Sequence, residues 1–71
     1  MTPTELKEAR HRLGLSSAAF ARAVGAGART VRRWEAGGQD IPAPVVKLVT
    51  LWLDPQLPAR LLPEGARNPN G

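Results

Sequence analysis

The chain contains no cysteine, which excludes a disulfide framework and a thiolate metal site and is compatible with a reducing compartment. With one histidine and no carboxylates paired at a useful spacing, no nucleophile and base can be brought together, so an enzyme is not expected. His11 with Glu8 and Glu5 is weighed as a metal or acid–base cluster and set aside, because Glu, His and Arg on a helix surface usually form ordinary i,i+3 and i,i+4 pairs. No cofactor and no metal are expected.

Aromatic residues make up only 4% of the chain. Phe20, Trp34 and Trp52 fall at core positions of helical patterns, which leaves no exposed platform on which single-stranded RNA bases would stack. Long apolar runs are missing as well. The most apolar stretch, Val45 to Leu53, is nine residues long and holds Lys47, against about 20 residues needed to cross a bilayer. No membrane contact is expected. The opening MTPTELKEAR is charged where a signal peptide needs an apolar segment, so secretion is not expected and a cytoplasmic location is. At 71 residues and 42% hydrophobic, the chain is one small module.

What is present is positive charge in one place. Ten Lys and Arg against six Asp and Glu give +4. From Arg22 to Trp34 there are four arginines (22, 29, 32 and 33) and no acid, while the other residues balance at six against six. Such a basic block is either a solvated helix face or the footprint of a polyanion binder, in which each cation set near a phosphate releases counterions. Charge alone leaves both open.

The helical punctuation is clear. Thr2, Pro3 and Glu5 supply an N-cap, a proline at the first helical position and a capping-box acid, so a first helix is expected from Pro3 to about Leu13. Its apolar face is Leu6, Ala9 and Leu13, with Arg10 on the same inward side, and Gly14 is the stop. Ser16 caps a second helix with Phe20, Ala21 and Val24 buried and Gly25 at its end. After the turn Gly25-Ala26-Gly27, a third helix runs from Ala28 to Ala36 and stops at Gly37-Gly38. Pro44 suits the first turn of a fourth helix ending at Leu53. Beyond Asp54 four prolines (55, 58, 63 and 69) mark a tail with one helical turn near 58–62 and no order expected after Glu64. The division is 1–54 as the folded domain and 55–71 as the tail, and the fold class is all-α, with four to five short helices.

At 100° per residue, Val31 and Trp34 share one side of the third helix while Arg29, Arg32 and Arg33 cluster on the other. A short helix that packs by two apolar residues and shows three arginines outward, preceded by a short helix and a glycine turn, has the mechanics of a helix-turn-helix. Such a helix fits the major groove of B-DNA, where arginine reads guanine O6 and N7. Arg29, Arg32 and Arg33 are therefore the candidate base readers, with Ala28 placed to touch a thymine methyl. Thr30, Ser16, Ser17, Arg22, Arg12, Lys47 and the amides near Gly37 and Gly38 are candidate contacts to the DNA backbone.

At these residues a family resemblance appears. Positions 17–36, SAAFARAVGAGARTVRRWEA, resemble the helix-turn-helix of the Cro/CI-type (XRE) transcriptional regulators of phages and bacteria. The likeness is carried by Phe20, Ala21, Gly25, Val31, Trp34 and the following Glu35-Ala36-Gly37, and extends over residues 3 to about 53. It implies a lambda-repressor-like fold, a structural ion pair between Arg10 and Glu35, and a repressor or autorepressor of the small phage Cro-like or anti-CRISPR-associated kind. Its partner would be double-stranded DNA in the nucleoid. Two positions depart from the family. Many relatives have glutamine at Ser17, where it contacts the backbone, and serine or threonine at Gly27, where it caps the recognition helix.

A homodimer on a pseudo-palindromic operator is expected. Helix 4 carries a second apolar stripe beyond its core stripe of Val45, Leu48, Val49 and Trp52. Val46, Trp52, Leu53, Leu57, Leu61 and Leu62 are the candidate interface residues, the alternative being that the tail leucines cover the stripe. A second functional class also fits: an antitoxin-type module that neutralises a protein partner, a toxin, through helix 4 and the tail.

Overall fold

The computed structural model describes residues 1–67. Four α-helices follow one another, α1 (Pro3–Arg12), α2 (Ser17–Val24), α3 (Ala28–Ala36) and α4 (Ala43–Trp52), then a 3-10 turn at Ala59–Leu61. Among the described residues there is no strand, as the helical periodicity predicts.

Local chemistry sets the boundaries. Thr2 N–H donates to Glu5 Oε1 at 2.7 Å and Glu5 N–H donates to Thr2 Oγ1 at 3.1 Å, so the reciprocal cap starts α1 as expected. The helix ends at Arg12, one residue before the expected limit, because Leu13 is the cap residue and Gly14 turns the chain at φ +73. Ser16 Oγ accepts the Ala19 N–H at 3.1 Å and opens α2. Helix α3 opens at Gly27 with no side-chain cap, which costs a few tenths of a kcal/mol relative to a serine. Helix α4 begins one residue before Pro44, on the extended backbone of Pro42.

Helix α3 packs against both α1 and α2, so the helix carrying the charge is held from two sides. Leu6, Leu13, Phe20, Val31 and Val49 are fully buried in the core, and each contributes roughly 1.5–3 kcal/mol by leaving water. Leu15, which the helical pattern did not single out, joins this core from the α1–α2 connection. Trp34 is core as expected, although its indole Nε1 is buried without a hydrogen-bond partner among the described residues.

Two expectations change. Trp52 is only 6% exposed and meets Phe20 edge to face, ring centres 6.2 Å apart at 84°. It belongs to the core and is not available as an interface residue, because α4 turns its Trp52 side inward with Val45 and Val49. The tail is also more ordered than its prolines suggest: Ala66 N–H donates to the Pro63 carbonyl at 3.0 Å and Arg67 N–H to the Leu13 carbonyl at 2.9 Å. Leu57, Leu62 and Ala66 pack on the core, while Leu61 is exposed. These contacts hold the chain past Glu64 as far as Arg67. The expectation of disorder for 68–71 lies outside the described residues.

Candidate nucleic-acid interface

The core fixes the orientation of α3. Val31 and Trp34 are buried, which turns Arg29, Arg32 and Arg33 outward, and all three are exposed. Among the described residues the only ion pair is Arg10 with Glu35. The three outward arginines therefore carry full, uncompensated charge on about two turns of helix. Ala28 and Thr30, at the N-terminal end of α3, are half-buried.

Glu35 is the one acid of α3, and it is engaged by Arg10. Arg10 Nε donates to Glu35 Oε2 at 2.7 Å and Arg10 Nη2 to Oε1 at 3.0 Å, while Nη1 donates to the Leu15 carbonyl at 3.0 Å. One guanidinium thus joins α1, the α1–α2 connection and the last turn of α3. A two-point pair of this kind fixes orientation because both atoms of the carboxylate are engaged by a rigid fork.

A cleft of about 330 Å³ beside this pair is lined by Lys7, Arg10, Ser17, Arg32, Glu35 and Ala36. It brings Ser17 of α2 together with Arg32 of α3, two residues singled out from sequence, and adds Lys7, which sequence reasoning missed. The signal was available: Lys7 lies three residues before Arg10, one turn back along the same side of α1.

Other expected backbone contacts fall elsewhere. Arg12 lines a different groove, of about 400 Å³, between α1 and α4, with Val46 and Leu53. The helical period puts it on the side of α1 away from Lys7. Arg22 lines a cleft with Ala19, Trp52, Leu61, Pro63 and Glu64, so it faces the tail. The amides of Gly37 and Gly38 are not free for phosphate: they donate to the Trp34 and Arg33 carbonyls at 3.2 and 3.0 Å and close the end of α3. Lys47 is exposed on α4 and lines none of these clefts. Ser16 Oγ accepts the Ala19 N–H as the cap of α2, which leaves its O–H as a donor. None of the tail leucines lines the α1–α4 groove, and Val46 and Leu53, which do, are half-buried.

Among the described residues no group of three His, Asp or Glu is placed to hold a metal ion, and no helix is long and apolar enough to cross a membrane. Neither a curated protein nor a solved structure matches the chain. The two short helices meeting at Gly25, with α3 held outward by Val31 and Trp34, lie inside residues 4–50, which match the helix-turn-helix domain family, and the chain belongs to that family.

Proposed function

We propose that this protein is a sequence-specific double-stranded DNA-binding transcriptional regulator of the Cro/CI type, acting as a repressor or autorepressor. The observation that carries the reading is the face of α3: three exposed arginines without an acidic partner among the described residues, on the side opposite Val31 and Trp34. In the major groove, Arg29 and Arg33 donate to base edges, Ala28 approaches a thymine methyl, and Arg32 lies toward the backbone with Lys7 and Ser17. The shared cleft of Arg32, Lys7 and Ser17 supports a contact of Arg32 to the backbone beside its reach to the bases.

The protein acts as a two-fold dimer on a pseudo-palindrome with half-sites about one helical turn apart. The open α1–α4 groove, with Val46 and Leu53 on its floor and Glu5, Glu8 and Arg12 beside them, is the surface that supports self-association. Repression follows by occupying the site that polymerase needs.

The test is selection of bound duplexes from a randomised pool at ~0.15 M salt, near physiological ionic strength. The reading expects a two-fold-related motif with half-sites about 10 base pairs apart. Recovery of duplexes with no shared motif would reduce the activity to unspecific electrostatic attachment.

A further inference from the structure

The described part of the tail ends on the corner between α1 and α2. Arg67 N–H donates to the Leu13 carbonyl at 2.9 Å, one of the last carbonyls of α1, which have no donor within the helix. The Arg67 side chain then lies across Gly14. A Cβ at Gly14 would sit 2.7 Å from Arg67 Nε and 3.4 Å from its Cγ and Cζ. The left-handed φ of +73 favours glycine here, and the exposed Arg67 guanidinium rests on the space its missing side chain leaves.

Arg67 is exposed, and no acid among the described residues lies within ion-pair distance of it. Glu64, three residues earlier, instead lines the cleft beside Arg22. Gly14 stands one residue after Leu13, the cap residue of α1, and two residues before Ser16, the cap of α2. Lys7 shares a cleft with Ser17 and Arg32. Lys7 and Arg32 thus lie beside Ser17 in the first turn of α2, and Arg67 lies across Gly14, two residues before the cap of that helix. The acid lining that cleft, Glu35, is held by Arg10.

We propose that Arg67 is a contact to the DNA backbone, so that the tail delivers a phosphate-binding cation to the α1–α2 corner and extends the surface that α3 presents. The proposal rests on the DNA-binding reading above. A guanidinium suits this task because its planar fork matches two phosphate oxygens. The contact carries no base information, so it raises affinity for all duplexes alike.

The test titrates the full chain and its Arg67→Ala, Arg67→Lys and Arg60→Ala variants onto a selected duplex and a scrambled one, at several salt concentrations. Arg67→Ala keeps the strap closed, because the bond to Leu13 comes from the backbone. It should weaken binding to both duplexes by the same factor, roughly 3- to 10-fold near 0.1 M salt, and lower the slope of log affinity against log salt by about 0.9. Arg67→Lys should keep the slope. Arg60→Ala removes the same charge from the exposed 3-10 turn and should change affinity less than about two-fold. A wild-type slope for Arg67→Ala, or equal losses for Arg60→Ala and Arg67→Ala, overturns the assignment while leaving the DNA-binding reading intact. Failure of the unaltered chain to bind either duplex overturns both.

Discussion

Arg10 holds Glu35 at two points, 2.7 and 3.0 Å, and with its third nitrogen holds the Leu15 carbonyl at 3.0 Å. The pair joins the first helix to the last turn of the third and is largely buried, with 11% and 9% of the two side chains exposed. Its contribution is to orientation: α3 can neither rotate nor lift without breaking both bonds. It also removes the negative charge that would otherwise stand beside Arg32.

Breaking one half of this pair leaves the other charge buried alone. Arg10→Ala is expected to cost about 3–5 kcal/mol of stability in urea unfolding, whereas replacing both residues together by Met and Leu should recover most of the loss. A double variant as unstable as Arg10→Ala would show that the pair supplies net stability and not chiefly orientation.

Lys7 and Arg12 lie on opposite sides of the same helix and should behave differently. Lys7→Ala is expected to weaken binding to every duplex and to reduce the salt slope by about 0.9. Arg12→Ala, in the α1–α4 groove, should leave the slope unchanged. The reverse order in a fluorescence titration would place the DNA backbone against the other side of α1.

The cap of α1 gives a pH dependence. The Thr2 backbone N–H, and then its side chain, hold the Glu5 carboxyl below its ordinary value of 4.5. A depressed carboxyl contributes stability that is present above its unfolded pKa and lost as pH falls through the folded one. Helix α1 should therefore fray on acidification below about 4.5. Thr2→Ala keeps the backbone donor but removes the hydroxyl, so the Glu5 titration followed by NMR should move part of the way back up. An unmoved midpoint would mean that the hydroxyl plays no part in the shift.

Trp34 combines a well-buried ring with an indole N–H that has no partner among the described residues. Trp34→Phe gives up some buried area but also removes a buried donor whose lost hydration costs about 1–3 kcal/mol, so a net loss below about 1 kcal/mol is expected in thermal unfolding. Trp34→Ala should cost about 3–5 kcal/mol by opening a cavity. Similar losses for the two would mean that the indole nitrogen carries no penalty.

The helices were legible because their boundaries are local. Thr2 and Glu5, Ser16, and the glycines at 14, 25 and 37 act within a few residues of themselves, and the period of Val31 and Trp34 already turned the arginines outward. The Arg10–Glu35 pair was legible only through family resemblance, since 25 residues separate its partners. The place of Lys7 depends on the same pair: it lies one turn before Arg10, so its position beside α3 follows once Arg10 is set against Glu35, whereas Arg12 lies on the other side of the helix. The contacts of the tail are not legible for a similar reason: prolines signal the absence of regular structure, yet Leu57 and Leu62 pack on the core and Arg67 N–H donates to the Leu13 carbonyl across 54 residues.

The central claim is that the outward arginines of α3 read bases. The most direct measurement is competition binding of the unaltered chain and Arg33→Ala against every single-base variant of a selected duplex. The account predicts that Arg33→Ala loses preference at one base pair of each half-site, by ~1–3 kcal/mol, and keeps its preferences elsewhere. A uniform loss across all variants, with the pattern of preferences unchanged, would contradict it and make the arginine face a nonspecific phosphate contact.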